Sequence, residues 1–364
     1  MRDNVNKYIP KWAKILLLLA LFSWIILIIG RRNTAFAEWV STGVGHYIRA
    51  ALGRISSLVP FSLGEILILL SPIIVLTVIV KAFKRGSFSG MIRFLSGTLA
   101  VVSLLYTGSV YTLGISYHRL PLSDRLGIED TEINAENLYS TALVLKGECE
   151  ALLDSVDFSA NGSSEAGVKF DTLSDEALFG YERLASDYPA LNLVNFESRA
   201  KPVRFSEVMT ALDLLGIYTF FTGEANVNVH YPDYTIPFTI AHEMAHQRGF
   251  ARENEANFVA FLVCSRASLP YVRYSAYMNM LEYVGSALYK TDKELYRELV
   301  STYDARIIGE MRAYREFYNE NKNEFLGKLS DKVNDNYLKS QGTEGIISYS
   351  LVVRLCVAYY ENLK

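Results

Sequence analysis

Two of the five histidines in this chain stand four residues apart in AHEMAHQRG (241–249), with a glutamate directly after the first. On a helix, His242 and His246 lie about 40° apart, so both imidazoles leave one face and can reach a single ion. Glu243 lies about 100° round from His242, where its carboxylate reaches a water beside the ion rather than the ion itself. This is the physical logic of H-E-x-x-H. The ion polarises a carbonyl and brings the pKa of its water to about 7. The carboxylate takes the proton and delivers it to the leaving amine. The alternative reading is a solvated helix face that carries two histidines and a glutamate and binds nothing.

A catalytic zinc site has three protein ligands and one open position. No histidine follows His246; His230 lies upstream, and His46 and His118 fall in apolar surroundings. The third ligand is therefore expected to be a carboxylate, and RENEAN (252–257) offers Glu253 and Glu255. They are about 200° apart on a helix, so only one can face the ion. Gly249 is placed to end the histidine helix and let the chain turn back.

These residues resemble the gluzincin metallopeptidases, whose zinc is held by the two histidines of H-E-x-x-H and a glutamate on a following helix. In that group the glutamate often stands four residues before an Asp or Asn that supports a zinc-ligand histidine. The resemblance implies His242, His246 and Glu253 as ligands of Zn2+, Glu243 as catalytic base, and Asn257 as the supporting residue. The segment between His246 and Glu253 is shorter here than in most gluzincins. More of the chain is similar to a family of uncharacterised bacterial membrane proteins with three N-terminal spans and an H-E-x-x-H domain. FSLGE (61–65), FTGEANVN (221–228), AHQRGFARENEANF (245–258), VNDNYLKSQG (333–342) and SYSLVV carry that likeness.

The spans are visible in composition. Half of the 364 residues are hydrophobic, and they are concentrated. Runs at about 14–30, 59–83 and 93–116 are each close to the roughly 20 residues that cross a bilayer. Lys and Arg at the N-terminus (Arg2, Lys7, Lys11, Lys14) and between the second and third runs (Lys81, Lys84, Arg85) place those segments inside. Arg31, Arg32, Arg49 and Arg54 in the first connecting segment stand against that orientation. Three spans then put residues after 118 outside the cytoplasmic membrane. Residues 31–57 join the first two runs, and GVGHYIRAALGRISSLV within this connection reads as an amphipathic helix at the membrane surface.

From 119 to 364 the pattern is that of a water-exposed, mainly helical domain with a small sheet. Helices are expected over 135–156, 174–188 and 205–216. Another runs from Thr235 through the histidines, one covers 252–267, and others cover 270–290, 292–324 and 345–362. Residues 157–174 read as a loop. GEANVNV (223–229) is the best strand, and the resemblance implies an edge strand there that pairs with an extended peptide. The oxyanion of peptide hydrolysis needs a donor. Tyr271, Tyr274, Tyr337 and Tyr349 are candidates, with Tyr337 preferred because NDNYLKSQG reads as a shaped loop. Cys149, Cys264 and Cys356 read as buried free thiols. A net charge of -3 gives no case for nucleic acid.

The expectation is therefore a multi-pass protein of the bacterial cytoplasmic membrane, with residues 1–118 in the bilayer and a zincin-like α+β domain at 119–364. Its expected activity is zinc-dependent hydrolysis of peptide bonds in envelope proteins or peptides. The rivals are a zinc amidase acting on a cell-wall linkage and a non-catalytic membrane scaffold.

Overall fold

The computed structural model describes residues 9–84, 88–191, 193, 196–345 and 351–363. Arg2, Lys7, Arg85 and Tyr349 lie outside the described residues. The chain divides into two compact units. One comprises residues 1–119 with 219–224, the other 120–218 with 225–364.

The first unit is built on three long helices, α1 (Lys11–Arg32), α3 (Leu63–Lys84) and α4 (Phe88–Thr112). All three are long and apolar enough to cross a membrane. On α3 the side chains of Ile66, Leu70, Ile73 and Leu76 are exposed, an apolar surface suited to lipid. The last turns of α1 and α3 carry basic residues, Arg31 and Arg32 on one and Lys81 and Lys84 on the other, where the helix dipole favours cations. α1 packs along α4.

Residues 34–56 are helical in three pieces. A short helix (Thr34–Val40), a π-turn (Ser41–Gly45) and α2 (His46–Ser56) fold into this unit. Arg49 is 1% exposed, and its guanidinium donates to the carbonyls of Ser41 (2.9 Å), Tyr111 and Thr112 (3.4 Å each). It satisfies carbonyls at the end of α4 that the helix itself leaves without partners. Arg119 makes a two-pronged pair with Glu38, at 3.0 and 2.6 Å. Glu224 is likewise buried in this unit, and its carboxylate accepts the backbone N–H groups of Leu63 (3.0 Å) and Gly64 (2.7 Å). It caps α3 from a point 160 residues further along the chain.

The second unit is helical around one core. Its elements in chain order are α5 (Ala135–Leu152), β1 (Asp157–Phe158), β2 (Ser164–Glu165), α6 (Phe170–Asp187) and β3 (Lys201–Pro202). Then come β4 (Gly216–Thr219) and β5 (Glu224–Val227), which belong to this unit except for Thr219 and Glu224, and α7 (Thr235–Gln247), α8 (Glu253–Cys264) and α9 (Pro270–Thr291). Last are α10 (Lys293–Ser301), α11 (Ala305–Asn321), α12 (Glu324–Ser340) and α13 (Val352–Glu361). α7 packs on α8, α8 on α6, and α9 lies along α5. Leu138, Leu145, Met244, Phe258, Phe261, Met280 and Leu281 meet in the centre. Cys149, Cys264 and Cys356 are buried free thiols there, and burial raises all three.

Several boundaries differ from the sequence reading. The loop expected at 157–174 contains the antiparallel pair β1–β2, and α6 begins at Phe170 rather than Ser174. Ser174 is not a cap; its Oγ accepts the N–H of Ala200 at 2.9 Å from inside the helix. The helix expected at 292–324 breaks at Thr302–Asp304, where Asp304 caps α11 by accepting the N–H of Arg306. The larger sheet has the order β3-β5-β4, with Lys201 and Pro202 parallel to Asn226 and Val227. β5 is therefore central, not an edge, and both its sides are taken. That corrects the expectation that 223–229 pairs with a peptide; β4 is the strand on the outside.

Candidate metal centre

α7 is buried along almost its whole length, with His242 its one partly exposed residue. Such a helix is apolar all round except where chemistry is placed. It ends as expected at Gly249, whose φ of 89° is left-handed. The N–H of Gly249 donates to the His246 carbonyl (3.0 Å) and that of Phe250 to the Ala245 carbonyl (3.1 Å). This is the Schellman pattern, and a side chain at Gly249 would strain it. The turn brings α8 back against α7, with Glu253 in its first turn.

His242, His246 and Glu253 thereby converge. The two Nε2 atoms are 3.0 Å apart, and Glu253 Oε2 lies 3.3 Å from that of His242 and 3.6 Å from that of His246. Metal–ligand bonds of about 2.0–2.1 Å at tetrahedral angles place neighbouring donors about 3.3–3.4 Å apart. The three donors thus stand at the separations one small divalent ion requires. His246 Nδ1 contacts the Phe250 carbonyl at 2.8 Å, which fixes the ring with Nε2 toward the other two donors. Without an ion the three groups behave as an ion pair. Burial lowers His246, but Glu253 outweighs it and takes the ring up to about 9. Burial would raise Glu253, yet the imidazoles hold it well below the usual carboxylate range.

Glu255 is occupied elsewhere. Its carboxylate accepts from Arg125 (2.8 Å), Arg252 (2.6 Å) and the N–H of Leu122 (3.0 Å). The choice that the sequence leaves open is thus decided by geometry.

Glu243 is 5% exposed, and burial raises its carboxyl against the pull of the two imidazoles. Its Oε2 has no hydrogen-bond partner among the described residues. The outer strand β4 runs directly past it. A Cβ at Gly216 would stand 2.5 Å from Glu243 Oε1, so only glycine lets the strand come this close.

A cleft of about 220 Å³ opens over these groups. Its lining includes His242, Glu243, Asn257, Gly216 and Tyr283. Asn257 faces this cleft rather than the histidine it was expected to support. Neither its Nδ2 nor His242 Nδ1 has a hydrogen-bond partner among the described residues.

The tyrosines fall differently from the expectation. Tyr337 lies on α12, a regular helix through Ser340, and is 40% exposed outside the cleft lining. The apparent loop is helical because Asn323 caps the segment and its turn, at Gly342, comes only after the tyrosine. Tyr271 is bonded to Ser164 (3.1 Å) and Tyr274 to Glu310 (3.0 Å), away from the cleft. The tyrosine that lines the cleft is Tyr283, pushed up to about 12 by burial and then by Glu253. It escaped the sequence reading because α9 reads as plain core. The available signal was Asn279, a polar residue four before it on the same face of α9.

The sequence matches the family described as "Protein of unknown function (DUF3810)" over residues 41–357. The chain belongs to that family. Comparison with curated proteins and with solved structures finds no match.

Proposed function

We propose that this protein is a membrane-anchored zinc metallopeptidase of the bacterial cytoplasmic membrane, with a zincin-like domain on the outer side acting on envelope proteins or peptides. The observation that carries the reading is the convergence of His242, His246 and Glu253 at ion-binding separations beside an unpartnered carboxylate in an open cleft. A structural metal site is closed and needs no base; a carboxylate with a free oxygen at an open cleft is the arrangement hydrolysis needs.

His242, His246 and Glu253 would hold the ion. When bound, zinc supplies Lewis acidity to a carbonyl and makes water acidic near neutral pH. Glu243 accepts the proton of the attacking water at Oε2 and returns it to the leaving nitrogen. Tyr283, which lines the cleft, takes the role expected of Tyr337 and donates to the carbonyl oxygen as charge develops there. β4, the outside strand beside Glu243, takes the peptide-aligning role first expected of 223–229.

The test is elemental analysis of the full-length protein purified in detergent. One zinc per chain is expected, lost in Glu253→Ala and kept in Glu255→Ala and Glu243→Gln. Wild type should cleave members of a peptide library, and Glu243→Gln should not. Folded wild type that takes up no metal would sink the reading. Metal with cleavage of wall fragments but no peptides would transfer it to an amidase.

A further inference from the structure

The cleft also carries groups that the proposed hydrolytic machinery does not use. Asp213 and Asp331 both line it, with Asn279, Ser330 and Asn334. The lining contains no Lys or Arg. Neither aspartate forms an ion pair among the described residues.

Asp213 is held in place rather than loose on the surface. Its carboxylate accepts hydrogen bonds from the hydroxyls of Tyr231 (2.9 Å) and Tyr318 (3.3 Å). Its φ of 58° is the left-handed region, the one such case outside glycine among the described residues.

A second observation points to a ligand here. Asn257 is 3% exposed, lines the cleft, and has an amide Nδ2 with no partner among the described residues. A buried amide left without an acceptor costs about 1–3 kcal/mol, and an incoming carbonyl oxygen would satisfy it. Leu214, Leu215 and Phe238 add apolar wall to the same cleft. A lining that combines apolar wall with two carboxylates suits a long aliphatic stem with a charged head.

We propose that the Asp213–Asp331 side of the cleft is a specificity subsite for a cationic side chain, so that the substrate is a peptide carrying Lys or Arg beside the bond presented to Glu243. The consequence for cleavage rests on the peptidase reading; the charge preference itself does not, because it needs no metal.

The experiment measures fluorescence anisotropy of labelled peptides binding to full-length protein in detergent after a chelator has removed metal. The peptides share one neutral backbone and differ at a single central position, Lys, norleucine or Glu. The Lys peptide should bind roughly tenfold more tightly than the norleucine peptide, with the Glu peptide weakest. The preference should shrink in about 0.5 M salt. It should fall within about twofold in Asp213→Asn/Asp331→Asn, whose melting temperature in the same detergent reports the fold. Equal affinity for the three peptides, no binding of any of them, or a preference that survives in the folded double variant would each overturn the proposal. Restoring zinc and following cleavage separates the two readings. Preference without cleavage leaves the subsite and sinks the peptidase; cleavage without preference does the reverse.

Discussion

Two buried carboxylate centres in the helical unit are built on opposite plans. At the cleft, Glu253 meets only the imidazoles of His242 and His246 among the described residues, and Glu243 keeps one oxygen without a partner. Around Ser164, Glu310 takes the backbone N–H of Ser164 at 3.1–3.2 Å and the hydroxyl of Tyr274 at 3.0 Å. Nearby, Glu282 accepts the Tyr234 hydroxyl at 3.1–3.3 Å. The second centre satisfies its oxygens with neutral donors, and burial raises both acids, so it is a structural acid–tyrosine network. The first centre pairs acid with basic nitrogens and leaves acceptor capacity facing open space. Burial of a glutamate therefore says little by itself; the donors around it say whether it holds the fold together or awaits a ligand.

The sharpest way to break this contrast is Glu243→Gln. Activity on any cleaved peptide should fall about 10²- to 10⁴-fold with metal content unchanged, checked by kinetics beside elemental analysis. An unchanged rate would put Glu243 with the structural acids. Glu255→Ala should do the converse. It leaves Arg125 in a buried site without its partner carboxylate and should cost about 3–5 kcal/mol of stability while metal is retained. Thermal unfolding in detergent reads that loss.

Gly216→Ala tests how closely the cleft is drawn. The added methyl would press on the Glu243 carboxylate, and kcat should drop about 10²-fold with metal kept. A rate near wild type would mean that β4 can shift without consequence.

The smallest effect belongs to the network. Burial takes Glu282 from its ordinary 4.5 up to about 7. Between those values the folded protein keeps a proton that the unfolded chain has released, so stability falls as pH rises through that window. Glu282→Gln removes the ionisation and should flatten the fall, gaining about 1–3 kcal/mol above pH 7 relative to wild type. Parallel pH–stability curves for the two proteins would show that this carboxyl titrates normally.

The placement of groups at the centre was legible where it depends on one helix. The spacing of His242, Glu243 and His246 is a property of 3.6 residues per turn, and Gly249 announces the turn that follows. The three apolar runs were legible because bilayer thickness sets their length. Strand order was not. GEANVNV reads as a strand from its composition, but only the pairing with residues 201–202 on one side and β4 on the other makes it central. Tyr337 misled for a related reason: Asn and Gly near it suggest a loop, while the cap that makes the segment helical is Asn323, fourteen residues upstream.

By itself the sequence determined the local periodicities: which helix carries the donors, where it stops, and which segments are apolar enough for lipid. Tertiary structure decided every choice between equivalents. Glu253 rather than Glu255 faces the histidines because Arg125, from 130 positions away, claims the other carboxylate. Tyr283 rather than Tyr337 lines the cleft, and Asp213 and Asp331 share it, because helices distant in sequence close over α7. Periodicity is written in neighbouring residues, whereas the partner that satisfies a buried charge is set by packing among elements far apart in the chain.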